Sequence, residues 1–265
     1  MWADLTSKPL FIGILNLTPD SFSDGGRFAA PAAAVAQARR LLEAGAGMLD
    51  LGAESTRPGA APVSPAEEWA RLEPVLAGLR KALPHAPLSL DTRHAEVAEQ
   101  GLALGISVLN DVTGFAQPAL LDLACRSGCS LIAMRSRLSG GAFRMPPYDD
   151  PAPRDAEAAI EELRVVRDRL RGAGISDART LLDPGFGFGT TFLEDLAIWE
   201  ALPRLPAALD WPARGFCLGI SRKRFLAARA RRPDLPPAQR DGLTAEAHKE
   251  ALRWGYRVFR THALA

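Results

Sequence analysis

Short apolar runs recur along the chain at Leu10–Leu17, Met48–Ala53, Leu88–Thr92, Ser107–Val112, Ser130–Met134, Thr180–Pro184, Phe216–Ser221 and Tyr256–Thr261. Their lengths and their Gly, Pro and polar borders predict eight strands. Between them, Ala-, Leu- and Arg-rich stretches carry helical spacing, among them Pro31–Ala44, Pro65–Leu83, Glu96–Leu104, Ala152–Arg171, Phe192–Leu205 and Leu243–Trp254. Strand and helix alternate throughout, so the strands run parallel and are joined by right-handed crossovers. Eight such units in one domain of 265 residues predict an α/β fold, the closed (β/α)8 TIM barrel, with a doubly wound open sheet as the alternative.

In a barrel of this kind the site is built where strands end and loops begin. The strand ends read Asn16 to Asp20, Glu54 to Gly59, Asp91-Thr92, Asn110-Asp111, Met134-Arg135, Asp183 to Gly189, Ser221 to Lys223 and Arg260 to His262. Taken singly, an Asp or Asn after a strand caps the next helix, and a Gly-rich turn only reverses the chain. Capping does not require Asp91, Asn110 and Asp183 to stand at one end of one barrel. Their convergence predicts a polar pocket for small molecules.

Charge narrows the choice of partner. Lys+Arg number 32 against Asp+Glu 31, for a net charge of +1, which gives no support for nucleic acid or a membrane surface. The three cysteines are an odd number without a signal peptide or a bilayer-length apolar run, which predicts a reduced, cytoplasmic, soluble protein. Cys125 and Cys129 stand at i,i+4 spacing suited to sharing a metal, but no His or further Cys lies near them in sequence, so buried thiols are expected. The Arg-rich segment Arg222–Arg240 reads as a solvated seventh crossover.

Six separated strings then come into view in order: "GILNLTPDSFSDGG" (Gly13–Gly26), "DLGAESTRPGA" (Asp50–Ala60), "LSLDT" (Leu88–Thr92), "LNDVTG" (Leu109–Gly114), "LLDPGFGFG" (Leu181–Gly189) and "GISRK" (Gly219–Lys223). Together they resemble the dihydropteroate synthase family. That resemblance implies a transferase joining 6-hydroxymethyl-7,8-dihydropterin pyrophosphate to p-aminobenzoate on a (β/α)8 barrel, releasing pyrophosphate with Mg²⁺ present. It implies that Asp183 and Asn110 hold the aminopyrimidinone edge of the pterin, where a carboxylate accepts paired N–H donors and an amide both donates and accepts. Asp91, Met134, Gly219, Lys223 and Arg260 complete the pterin site, with Lys223 as a donor and the Arg260 guanidinium laid over the ring.

By the same resemblance Phe22, Thr56, Pro58, Phe188 and Ser221 form the p-aminobenzoate site. Asn16, Arg260 and His262 hold pyrophosphate, and Asn16 gives Mg²⁺ its protein oxygen. Read without the family, His262 is equally an ordinary surface histidine near a terminus. The catalytic set is Asp91, Lys223, Asp24 and Arg57. Asp91 stabilises the methylene cation left by departing pyrophosphate, and no protein nucleophile is needed. Phe22 and Asp24, with Thr56 to Pro58, belong to two loops expected to close over the substrates.

Three departures stand out: Thr190 where the family commonly has Lys, Arg135 where it has His, and a chain that stops at Ala265 with no room for an eighth helix. The Arg135 change and the poor match of Ser136–Pro147 predict an altered pterin-pocket wall. The missing helix weakens the expectation of the family's homodimer. These departures motivate an alternative, a divergent paralogue that binds pterin with altered substrate, weak activity or a non-catalytic role. A pterin-binding methyltransferase shares the barrel, but "TPDSFSDGG" and "SRK" favour the synthase.

Overall fold

The computed structural model describes residue 2 and residues 7–17, 26–55, 61–139, 142–143 and 155–264. Its sheet contains β1 (Leu10–Asn16), β2 (Met48–Gly52), β3 (Leu88–Asp91), β4 (Val108–Asp111), β5 (Ser130–Met134), β6 (Thr180–Asp183), β7 (Cys217–Leu218) and β8 (Val258–Thr261). All neighbouring pairs are parallel, and the order β6-β5-β4-β3-β2-β1-β8-β7 is that of a rolled sheet. A parallel bridge between Leu182 of β6 and Phe216, the residue before β7, closes the barrel.

Around it pack α1 (Gly26–Glu43), α2 (Pro65–Ala82), α3 (Ala95–Ala103), α4 (Pro118–Ser127), α5 (Ala156–Gly172), α6 (Phe192–Ala201), α7 (Arg224–Arg229) and α8 (Asp241–Arg253). Their ends follow local chemistry. Ser64 caps α2 by accepting the Glu67 amide with Pro65 just inside, and Thr191 and Glu194 form a reciprocal capping box on α6.

Three helix expectations need correction. The first helix begins at Gly26 and carries Pro31 inside it, rather than starting there. The long helix before β6 begins at Ala156, capped by Asp155, so that Ala152 falls in the undescribed segment before it. The predicted Phe192–Leu205 helix stops at Ala201, and a separate short helix follows at Leu205–Ala208. Pro203 lacks an N–H and its ring collides with the carbonyl four residues back, which breaks the run. The seventh strand, expected over Phe216–Ser221, is reduced to two residues. No helix follows β8 among the described residues.

The barrel interior is layered. Leu10, Ile12, Met48, Val108, Ile132, Leu181, Cys217 and Val258 form a buried apolar cluster closed by Trp2, whose Nε1 donates to the Arg179 carbonyl. A larger cluster lies between the outer barrel wall and the helices, with Leu49, Leu51, Leu90, Leu109, Leu131 and Leu182 facing outward into it. Successive strand residues therefore alternate between two hydrophobic compartments, which is why each strand reads as a continuous apolar run.

Candidate active site

The same alternation builds the polar end. Two residues beyond the apolar layer, each strand presents its next inward side chain. Met48 is followed by Asp50, Val108 by Asn110, Leu181 by Asp183 and Val258 by Arg260, while Asp91 ends β3. Asp91, Asn110, Met134, Asp183, Gly219 and Arg260 line one cleft at the carboxyl ends of the strands. Asn16, Phe188, Ser221, Lys223 and His262 complete it, with Glu54 and Ser55 also in its wall.

The floor is a charge cluster. Arg260 Nε donates to Asp50 Oδ2 at 2.5 Å, and its Nη2 donates to Asp91 Oδ2 at 2.5 Å. Asn110 Nδ2 donates to the same Asp50 oxygen at 3.0 Å. Burial, together with the nearby carboxylates of Asp50, Glu68 and Asp111, pushes Asp91 up to about 7 against the pull of Arg260. Burial opposes the charge on Arg260, but the two carboxylates outweigh it and raise its affinity for its proton. Both ion pairs use in-plane N–H groups, so the flat face of the guanidinium is left for a ring.

Asp50 is fully buried and was missed as a site residue. An acid in the middle of the apolar run MLDLG was the available signal. Its neighbour by type, Asp111, sits one position beyond Asn110 and so points the other way. It accepts the amides of Thr113 and Phe115 and the Thr113 hydroxyl, stitching the turn after β4.

Asp183 Oδ1 accepts the Gly185 amide at 2.8 Å, while burial raises its pKa to about 6. A side chain at Gly219 would place its Cβ 3.2 Å from Asp183 Oδ2, so the glycine keeps that oxygen open. The turn from Gly185 to Gly189 is built on close backbone approach. Gly185 has φ +69°, and a Cβ there would stand 1.9 Å from the Arg135 carbonyl oxygen. Gly189 has φ +74°, with Arg137 Cβ 2.7 Å from the corresponding point. This turn carries Phe188, over whose ring Lys223 Nζ lies at 4.2 Å from the centroid. Burial lowers the Lys223 pKa to about 8 against the attraction of Asp195 and Asp183.

At the other side, Ser221 Oγ accepts the His262 amide at 3.1 Å and lies 3.1 Å from His262 Nδ1. Burial and the cations Arg260, Arg222 and Lys223 push His262 down to about 3, so at neutral pH it offers an N–H donor and no charge. Asn16 and His262 also border a neighbouring pocket with Arg40 and Arg222. Among the described residues no group of three or more His, Cys, Asp or Glu is arranged to hold a metal ion.

Two of the departures, Arg135 and Thr190, fall outside the cleft lining. Arg135, expected to change the pocket wall, is 1% exposed and turned outward, donating to the Pro184 and Gly185 carbonyls and pairing with Glu162 at 2.7 Å. Thr190 is buried, donating to Asp195 Oδ1 at 2.6 Å. Glu54, expected only as part of a polar strand end with no role assigned, holds Arg93 through two hydrogen bonds of 2.7 and 2.8 Å and accepts the Val63 amide. Asp24, Arg57, Phe22, Thr56 and Pro58 lie outside the described residues. Cys125 and Cys129 are half-buried thiols, where burial was expected, with Cys129 beyond the left-handed Gly128 that ends α4; only Cys217 is buried.

The family model described as "pterin binding enzyme" matches residues 12–262. The chain is 38% identical to the dihydropteroate synthase of Neisseria meningitidis serogroup C, over 96% of this chain and 88% of that protein. It superposes with a TM-score of 0.85 on the dihydropteroate synthase of Clostridium difficile, solved in the presence of pteroic acid, at 31% identity and covering 98% of this chain and 93% of that one. The Xanthomonas albilineans dihydropteroate synthase in complex with 7,8-dihydropteroate gives a TM-score of 0.79 at 34% identity, over 98% and 90% of the respective chains.

Proposed function

The chain belongs to the dihydropteroate synthase family of pterin-binding enzymes, and on that premise we propose that its barrel mouth joins 6-hydroxymethyl-7,8-dihydropterin pyrophosphate to p-aminobenzoate, making 7,8-dihydropteroate and pyrophosphate for folate biosynthesis. The observation that carries this reading is one cleft in which Asp91, Asn110 and Asp183 converge with Lys223 and Arg260. A pterin edge bears adjacent N–H donors. Asp183 Oδ2 and the Asn110 amide are the acceptors and donor suited to it, Met134 and the Arg260 face suit its ring, and Lys223 suits its carbonyl side.

In the reaction the C–O bond to pyrophosphate breaks and positive charge spreads from the methylene carbon into the ring. Asp91 is placed to stabilise that charge, and the arylamine nitrogen then forms the new C–N bond, its surplus proton passing to the departing pyrophosphate or to water. Phe188 supplies the wall on the aminobenzoate side. The Ser221 hydroxyl, assigned by resemblance to the aminobenzoate carboxylate, accepts the His262 amide and lies 3.1 Å from His262 Nδ1, so in this reading it also orients that histidine towards the diphosphate. Asn16 is a described cleft residue whose side-chain oxygen would suit Mg²⁺, a hard cation that takes oxygen ligands. When bound, the ion would neutralise charge on the leaving group.

Arg135 and Thr190 motivated the divergent-paralogue reading, and both side chains are bound away from the cleft. The reading extends to a homodimer acting in the cytoplasm, both supported by family resemblance; no described helix is long and apolar enough to cross a membrane. Sedimentation tests the first. For the function, purified protein should release pyrophosphate only when the dihydropterin pyrophosphate, p-aminobenzoate and Mg²⁺ are all present. Tight pterin binding with no release would favour the non-catalytic alternative.

A further inference from the structure

Lys223 reaches the cleft from the start of α7, while Asp195 lies behind the glycine turn, on α6 and out of the cleft. The two meet through Gly187. The Gly187 amide donates to Asp195 Oδ1 at 2.9 Å, and to the Thr190 hydroxyl at 3.0 Å. On its other side a Cβ at Gly187 would lie 3.2 Å from Lys223 Nζ and 3.3 Å from its Cδ, so the lysine stem rests directly on this glycine. The next residue, Phe188, places its ring under the ammonium.

Asp195 is fully buried, and both of its hydrogen bonds fall on Oδ1; Oδ2 has no hydrogen-bond partner. A buried carboxylate with one orphaned oxygen is expensive unless a nearby cation offsets it. Lys223 and Arg135 are the cations that act on it, and Asp195 heads the attractions felt by Lys223, ahead of Asp183, with Arg260 opposing.

We infer that Asp195, held by Thr190, is a positioning residue for Lys223: through Gly187 it sets the height of the lysine over Phe188, and its charge keeps the ammonium protonated where it meets the pterin. This rests on the proposed role of Lys223 in pterin binding. The carboxylate raises the affinity of Lys223 for its proton, so its removal moves deprotonation to lower pH.

The test is the pH dependence of kcat/KM for the dihydropterin pyrophosphate in wild type, Asp195→Asn, Lys223→Arg and the double variant. Asp195→Asn keeps an oxygen for Thr190 and Gly187 while removing the charge. The expected result is a basic limb shifted to lower pH and a KM raised roughly three- to tenfold near pH 8 but little near pH 6.5. In the Lys223→Arg background, where the cation does not titrate, Asp195→Asn should leave the limb unmoved. An unshifted limb in Asp195→Asn would overturn the inference, including the case where only Tm and kcat fall, which marks a structural role. If Lys223→Arg leaves both the limb and the pterin KM as in wild type, the lysine assignment itself fails.

Discussion

The two ends of this barrel are made by the same strands and differ by two residues of register. At the amino end Ile12, Met48, Val108, Ile132, Leu181 and Val258 bury apolar surface against one another. At the carboxyl end Asp50, Asp91, Asn110, Asp183 and Arg260 occupy the same inward-facing column. The first arrangement stabilises the fold by burial. The second holds Asp91 and Asp183 above their ordinary pKa, so in the free protein it costs stability that a bound ligand with complementary donors would restore. The barrel's stability is thus concentrated away from the place where its chemistry is proposed.

The largest expected effect lies at the mouth. Asp183→Ala removes a paired charged acceptor, worth about 1.5–3 kcal/mol per hydrogen bond, so affinity for pteroic acid measured by calorimetry should fall at least about a hundredfold. Its melting temperature should change little, because removing a buried acid of raised pKa offsets the Gly185 amide left without its acceptor.

Arg260→Leu breaks the comparison differently, since it leaves Asp50 and Asp91 buried without their cation. Urea unfolding at pH 8 should show a loss of about 3–5 kcal/mol. Part of that loss should be recovered at pH 5.5, because Asp91, whose folded-state pKa is raised, relieves its cost by taking up a proton as pH falls.

At the amino end the pattern should invert. Ile132→Ala creates a cavity and is expected to cost about 2–5 kcal/mol in urea unfolding, with the pterin KM within about twofold of wild type.

A subtler contrast comes from His248 on α8, buried between Phe11 and Phe259 with its Nε2 unpartnered. Burial lowers its pKa to about 4 from the ordinary 6.5. Above about pH 6.5 it is neutral in both states and changes nothing. As pH falls from 6.5 to 4 the unfolded chain binds a proton that the folded chain resists, so this residue removes up to about 3 kcal/mol of stability. His248→Phe should therefore lose less stability than wild type between pH 7 and pH 4.5 in urea unfolding.

The barrel was legible in the sequence because its strands are buried on both sides and read as unbroken apolar runs. Much of the mouth was legible because Asp91, Asn110 and Asp183 close those runs. Asp50 was not, since an acid inside MLDLG becomes meaningful only when its inward register and its partner Arg260, 210 residues away, are known. Arg135 misled for the converse reason: adjacency to Met134 said nothing of direction, and a one-residue step turns the side chain from the cleft to the back of the glycine turn. The shortened β7 escaped because Phe216–Ser221 has the composition of a strand, yet only Cys217 and Leu218 pair with β8.

The most direct test of the whole account is a crystal structure of this protein with 7,8-dihydropteroate. The account predicts the pterin edge within hydrogen-bonding distance of Asp183 Oδ2 and the Asn110 amide, its ring against Arg260, and the aminobenzoate end passing Phe188 towards the mouth. A pterin ring bound away from Asp183 and Asn110, or seated outside the carboxyl ends of the strands, would contradict it.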